Sequence, residues 1–283
     1  MTVREHLTAA AAVLKEAGMD TCRLDAEVLL AHVLRVERQE LLLRPHLELA
    51  EEAAERFRQA VARRCGHEPV AYIVGEKEFW SLSLLVNRHV LIPRPDTENL
   101  VEEALRFISS HGLPPFRILE IGTGSGAVSV ALAAAREDIR VTATDISADA
   151  LEVAMANAAR CGVAGRIDFI CCSLFDGLSG TFDMIVSNPP YITDDEFAEL
   201  PEDVRGYEPA AALRGGPDGL GFHREIIAGA VGRLRPGGLL AMEMGAGQRP
   251  ALEETLRAAA AYDRVQCRRD YAGMDRVILA RRI

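Results

Sequence analysis

Asn188-Pro189-Pro190-Tyr191 closes the apolar run FDMIVS with a polar residue and two strand-stopping prolines. The Asn188 side chain offers a carbonyl oxygen and Pro189 a main-chain carbonyl, so the pair can accept both hydrogens of a planar –NH2 group. Proline fixes φ and removes a competing N–H, and Tyr191 supplies a flat wall for a planar amide or base. Such a nitrogen is a poor nucleophile because its lone pair is delocalised. Two acceptors that hold its N–H groups and aim the lone pair at an electrophilic methyl raise the rate through orientation and charge stabilisation, without a strong base before attack. The bland alternative is a proline turn that only ends a buried strand.

A second cluster sits in LEIGTGSGAVSV, where Gly122, Gly124 and Gly126 alternate with Thr123 and Ser125 between a strand and a helix. Glycine permits a tight turn and close approach of a ligand to the main chain, and the helix start offers free N–H groups. The next strand ends in Asp145, 21 residues past Gly124, where a carboxylate can accept from both hydroxyls of a ribose. Gly122, Gly124 and Ala127 also satisfy G-x-G-x-x-G/A, so the loop alone leaves NAD, S-adenosylmethionine and a purely structural turn open. A Gly-x-Gly-x-Gly spacing after the acidic Glu120, in a unit that begins past residue 115, resembles motif I of class I methyltransferases and favours S-adenosylmethionine.

The elements that must position these residues follow from pattern. Between 1 and 75, apolar residues recur at spacings of three and four in REHLTAAAAVLKEAG, DAEVLLAHVL and EEAAERFRQAVARRC, which predicts a small helical bundle. Residues 76–93 turn to aromatic and large apolar types and read as a hairpin linker with its turn at Asn87 and Arg88. Pro93 and Pro95 keep the chain extended before a helix that Asp96 or Thr97 can cap. From 94 to 283, short strands alternate with helices, predicting an α/β domain with a mostly parallel sheet covered on both faces. FDMIVS is its fourth strand, so NPPY and the glycine loop share the crevice beyond the strands' carboxyl ends. The tail YDRVQCRRDYAGMDRVILARR reads as two strands that give the sheet an antiparallel edge.

The 283 residues are 49% hydrophobic, enough for a sizeable core, and carry 32 Lys plus Arg against 42 Asp plus Glu, a net charge of −10. That balance disfavours broad binding to a phosphate backbone. The six cysteines show no C-x-x-C pair or zinc spacing and read as reduced thiols of a cytoplasmic protein, with Cys171 and Cys172 in a buried strand. No secretory leader or membrane span is apparent.

NPPY after GTGSG, with LIPRPDTE upstream, resembles the peptide chain release factor glutamine methyltransferases, the PrmC/HemK family. The resemblance extends to RLDAEVLLAHVL, EFWSLSLLVNRHVLIPRPDTE, YEPAAALRGGPDGLGFHREII and RDYAGMDRVILAR, and so runs nearly end to end. It implies a Rossmann-like class I fold and methylation of the Gln side-chain amide in the Gly-Gly-Gln loop of bacterial class I release factors. The methyl donor would be S-adenosylmethionine, released as S-adenosylhomocysteine, with no metal. Gly122 to Gly126 and Asp145 would hold the cofactor, Asn188 and the Pro189 carbonyl would clamp the amide, and Pro190 and Tyr191 would shape the pocket. The helical segment, with 10 Lys plus Arg against 12 Asp plus Glu, would grip the release factor. A monomer without direct sequence-specific nucleic-acid contacts or a membrane is expected.

One departure falls near the adenine, where the family commonly has an acidic residue and an aromatic and this chain has Ser173 and Leu174, then Phe175. Arg94 and Glu98 are open between ordering the pocket and capping a helix. Trp80 reads as hairpin packing, and Arg56, Arg58, Arg63 and Arg64 read as a solvated face. The nearest rival function is an exocyclic-amine methyltransferase acting on adenine or cytosine, which would need to flip a base and grip phosphates. A cofactor-binding scaffold without catalysis would instead predict a degraded clamp or glycine loop.

Overall fold

The computed structural model describes residues 1–111 and 115–283. The chain forms two compact units, Met1–Glu76 with Pro201–Tyr207, and Lys77–Leu200 with Glu208–Ile283.

The first unit is helical. α1 (Val3–Glu16) opens on a capping box between Thr2 and Glu5, and is followed by α2 (Cys22–Leu34), α3 (Arg38–Leu43), α4 (Glu51–Cys65) and α5 (Val70–Val74). Leu7, Leu14, Leu29, Leu30 and Phe57 fill the space between α1, α2 and α4, as their three-and-four spacing requires. The short α3 and α5 lack enough turns to show a period, which is why pattern alone missed them. Arg64 does not sit on a solvated face. Its Nε donates to Asp25 Oδ2 at 2.8 Å, and both side chains are buried.

The second unit begins with a hairpin, β1 (Glu76–Phe79) and β2 (Leu82–Leu85). Its turn is at Trp80 and Ser81, with φ of 53° and 58°, rather than at Asn87 and Arg88, where a separate turn follows β2. A two-residue hairpin turn needs positive φ, which Trp and Ser adopt reluctantly. Tertiary contacts hold it: Trp80 N donates to Glu98 Oε1 at 2.8 Å and the Trp80 ring packs on the main core.

After α6 (Glu98–His111) the chain alternates: β3 (Phe116–Ile121), α7 (Ala127–Ala135), β4 (Ile139–Asp145), α8 (Ala148–Arg160), β5 (Ile167–Cys171) and β6 (Phe182–Ser187). β7 (Ile192–Thr193) and β8 (Arg214–Gly216) form a two-stranded parallel pair, and α9 (Asp194–Glu199) and α10 (Glu202–Tyr207) lie between them in sequence. α10 packs in the helical unit, where Asp203 reaches Arg64 at 3.4 Å and the Tyr207 hydroxyl donates to Gly66 O at 2.5 Å. α11 (Gly221–Ala230), β9 (Leu234–Glu243), α12 (Arg249–Ala258), β10 (Tyr262–Arg269) and β11 (Asp275–Arg282) complete the chain.

The seven-stranded sheet runs β10-β11-β9-β6-β3-β4-β5, parallel from β9 to β5, with β11 antiparallel to both its neighbours. Alternate residues of β3 face opposite cores: Ile118 joins Leu100, Leu132 and Met184, while Leu119 and Ile121 join Ile226, Leu240 and Leu252. β5 is an edge strand, so Cys171 is exposed and Cys172 half-buried, contrary to the buried strand expected for them. The chain leaves β3 toward β4 and returns on its other side with β6. This reversal of strand order opens a crevice at the carboxyl ends of β3 and β6.

Candidate active site

β3 runs directly into Gly122, Gly124 and Gly126, whose φ values of 73°, 55° and 79° lie where side chains are strained. The loop is strapped to β4: Gly122 N and Thr123 N donate to Thr144 O, both at 2.9 Å, and Gly124 N donates to Asp145 Oδ2 at 2.8 Å. Asp145 Oδ1 accepts Ser147 N at 2.9 Å, and each carboxylate oxygen retains lone-pair capacity for a ligand hydroxyl.

Beneath the loop, buried Glu120 accepts the Thr123 hydroxyl at 2.7 Å, Ser129 N at 3.1 Å and the Ser129 hydroxyl. Burial pushes its carboxyl up to about 7 despite these donors. Asn157, fully buried on α8, donates to Ser125 O and Leu85 O, both at 2.9 Å, and accepts Leu85 N at 2.6 Å. One side chain thus ties the hairpin to the glycine loop.

A cavity of about 400 Å³ opens over these ends. Its wall brings together Gly122, Thr123, Gly124, Ser125, Asp145, Ser173, Leu174, Asn188, Pro189 and Pro190. Gly126 does not reach the wall. It starts α7, and a Cβ there would lie 3.0 Å from Ala154 Cβ, so it is needed for close packing on α8. Phe175 does not reach it either and packs into the core formed with α11.

Tyr191 is placed differently from the expected flat wall. It does not line the cavity, and its hydroxyl donates to Glu243 Oε1 at 3.2 Å. Burial and the Glu243 charge raise its phenol well above the usual range. Its carbonyl accepts Gln248 Nε2 at 2.9 Å. The segment Gly215–Gly221 packs on the same backbone: a Cβ on Gly215 would lie 2.8 Å from Pro190 O, and one on Gly219 would collide with Tyr191 O.

Asn188 is held by its nitrogen. Asn188 Nδ2 donates to the buried Thr97 Oγ1 at 3.1 Å, and among the described residues nothing bonds Asn188 Oδ1 or Pro189 O. Two acceptors of the required kind are therefore free in the crevice. Arg94 pairs with buried Glu208 at 2.6 Å, and Glu208 also accepts Ile92 N at 3.0 Å, fixing the LIPRP segment along the cavity. Glu98 serves the hairpin turn instead.

Thr97, Asn157, Glu208, Glu243 and Gln248 have structural roles here that pattern reading did not assign. Thr97 and Glu208 lie in LIPRPDTE and YEPAAAL, segments that carry the family resemblance, and Glu243 is a carboxylate at the end of the otherwise apolar GLLAME. The register that pairs Ser187 with Met242 brings β9's last residue level with Asn188. Glu243 is buried and its carboxyl is pushed up to about 7, while the Thr97 and Tyr191 hydroxyls and Arg276 favour the ionised form. His223, fully buried, bonds Glu243 O through Nε2 at 2.8 Å, and burial lowers its pKa. No group of three or more metal-ligating side chains occurs among the described residues, and none of their helices is long and apolar enough to cross a membrane.

Residues 5–75 match the profile described as PrmC N-terminal domain, and residues 103–200 match the methyltransferase small domain. A release factor glutamine methyltransferase of Moorella thermoacetica is 45% identical over 283 residues, covering 100% of this chain and 99% of that protein. The chain belongs to the release factor glutamine methyltransferase family. A second such methyltransferase, from Nitratidesulfovibrio vulgaris, is 43% identical and covers 95% of this chain and 91% of its own. In fold, the chain resembles a crystal structure of a methyltransferase from Pyrococcus furiosus, with a TM-score of 0.52 and 21% identity, covering 79% of this chain and 97% of that one. The α/β unit is a class I S-adenosylmethionine-dependent methyltransferase fold, and this release factor glutamine methyltransferase family member is an enzyme of methyl transfer.

Proposed function

We propose that the enzyme transfers the methyl group of S-adenosylmethionine to the side-chain amide nitrogen of the Gln in the Gly-Gly-Gln loop of bacterial class I release factors. The observation that carries this reading is the state of Asn188: its nitrogen is tied to Thr97 while its oxygen and the Pro189 carbonyl are unpaired at the cavity. A paired acceptor set suits a planar –NH2 and suits no hydroxyl or thiol equally well.

The cavity fits the cofactor. At about 400 Å³ it lies within the roughly 300–1,000 Å³ range of small-molecule sites. The main chain of Gly122 to Ser125 would face the amino-acid part, and Asp145, with lone pairs to spare, would take the ribose hydroxyls. Ile146, 71% exposed yet on the cavity wall, and Leu174 offer apolar surface for a base, in place of the acidic and aromatic pair common in the family. When bound, S-adenosylmethionine supplies a methyl group already activated by its sulfonium.

Asn188 and Pro189 then hold the two amide hydrogens, fix the plane of the amide and stabilise the positive charge that grows on nitrogen. Their neutral oxygens suffice because the amide needs no deprotonation before attack. The proton lost afterwards comes from a strongly acidic alkylated amide and passes to water. The helical unit is assigned to grip the body of the release factor, and the enzyme to act as a cytoplasmic monomer without a metal.

The test is incubation with tritiated S-adenosylmethionine and purified release factor, wild type and with the motif Gln changed to Ala, with duplex DNA in parallel. Label confined to the Gln peptide of the wild-type factor is expected. Label on DNA alone would overturn the reading.

A further inference from the structure

YEPAAALRGG carries part of the family resemblance, and within it Ala210–Ala212 form a single 3-10 turn. The turn is fixed at both ends. On one side, buried Glu208 accepts Ile92 N at 3.0 Å and Arg94 Nη2 at 2.6 Å. On the other, the carbonyl of buried Leu213 accepts Ile192 N at 3.0 Å, and a Cβ on Gly215 would lie 2.8 Å from Pro190 O. The segment thus runs from LIPRP to NPPY as a fixed wall, and swinging it aside would break hydrogen bonds made by buried groups.

Strand order tells which end of the cavity it walls. In β9-β6-β3-β4-β5, Asp145 and Ile146 close β4 and Leu174 follows β5, whereas Asn188 and Pro189 follow β6. The glycine loop after β3 therefore separates the end assigned to ribose and base from the end of the amide clamp. Ala211 and Ala212 line the cavity, their anchors place them at the clamp end, and Ala210 on the same turn does not line it. The cavity, about 400 Å³, is near the low end of the roughly 300–1,000 Å³ range for small-molecule sites, so a bound cofactor leaves space for little more than one amide side chain. A side chain larger than methyl on this wall would take that space.

We infer that Ala211 and Ala212 are specificity-determining residues, whose methyl groups set the width of the opening through which the acceptor amide enters and admit a Gln only from a segment whose neighbouring residues are small. The inference rests on the amide-methylation reading above and deepens it. A Gln preceded by glycines meets the demand, and a base that brings its ribose and phosphates along does not.

Ala211→Leu and Ala212→Leu narrow the opening, and Ala210→Leu, on the same turn but off the cavity wall, is the control. Each full-length variant is measured for kcat and KM on the release factor and for S-adenosylmethionine affinity by calorimetry. The two wall variants are expected to lose kcat/KM by about 10- to 100-fold with cofactor affinity within about twofold of wild type, and Ala210→Leu to stay within about twofold in both. A release factor whose motif reads Gly-Ala-Gln gives the size readout, which a merely structural wall would not move. The wild-type enzyme should methylate it about 10-fold more slowly than Gly-Gly-Gln, and Ala212→Gly should narrow that ratio. Unchanged kcat/KM in both wall variants, a matching loss of cofactor affinity, or a ratio indifferent to Ala212→Gly overturns the inference. Should Ala212→Leu not fold, Ala211→Leu, at an exposed position, decides together with the ratio. Label on duplex DNA alone would retire the amide acceptor and this opening with it, whereas label on the Gln peptide that is indifferent to Ala211 and Ala212 keeps the acceptor and removes only the opening.

Discussion

Gly124 N donates to Asp145 Oδ2 at 2.8 Å, so the tip of the glycine loop is fastened by the side chain proposed to receive a ribose. One carboxylate both shapes the main-chain cradle and keeps lone pairs for the ligand. The two functions cannot be separated by mutation, because removing the carboxylate frees the loop as well.

Asp145→Ala is therefore expected to weaken cofactor binding by about 10- to 100-fold, the worth of one or two charge-assisted hydrogen bonds. Calorimetric titration with S-adenosylmethionine measures this, and unchanged affinity would remove Asp145 from the site.

Asn188→Ala should behave in the opposite way. Cofactor affinity stays within about threefold, while methyl transfer falls by about 100- to 1,000-fold, because a group that orients and stabilises the reacting nitrogen is gone. Parallel loss of both in calorimetry and a methylation assay would show that Asn188 serves the cofactor alone.

Gly219→Ala tests the buttress behind NPPY. Its φ of 71° and the collision of a Cβ with Tyr191 O predict a loss of roughly 1–3 kcal/mol in urea unfolding. Gly177→Ala, with φ of 70° and nothing within 4 Å, is the matched control and should cost only about 1 kcal/mol. Equal losses would mean that the segment does not support the clamp.

Glu120 makes stability depend on pH. Its folded carboxyl titrates at about 7 against an ordinary 4.5, because burial disfavours the charge. Between those values the folded chain keeps a proton that the unfolded chain has released, so its contribution is fully present below pH 4.5, declines as pH rises to about 7 and is level above. The span corresponds to about 3 kcal/mol at most. Glu243, raised in the same way, shares the window, so Glu120→Gln should roughly halve the slope of stability against pH. An identical slope in the variant, measured by denaturant titration from pH 4.5 to 7.5, would contradict this.

The parts of the site that were legible are those that are local in sequence. GTGSG and NPPY each carry their chemistry in four or five consecutive residues, and Asp145 lies one strand later. The residues that pattern reading left unassigned act across distance: Asn188 and Thr97 are 91 positions apart, Arg94 and Glu208 114, Leu85 and Asn157 72. Such pairs depend on strand order and register, which periodicity does not encode. Tyr191 was misjudged for the same reason, since its partner Glu243 arrives from a strand 52 residues on. The hairpin turn was misplaced because Trp80 and Ser81 carry no turn signature and are held by Glu98. Long amphipathic helices and buried strands were readable because their periods repeat.

The packing of α10 in the helical unit means that this unit is not a contiguous cassette. Residues 1–76 leave the ribosome more than a hundred residues before Asp203 and Tyr207, and until then Arg64 pairs with Asp25 without Asp203 and Gly66 O lacks the Tyr207 hydroxyl. Final consolidation of the helical unit thus waits on synthesis of most of the catalytic sheet. A graft of this helical unit onto another methyltransferase must carry residues 201–207 along with the N-terminal segment.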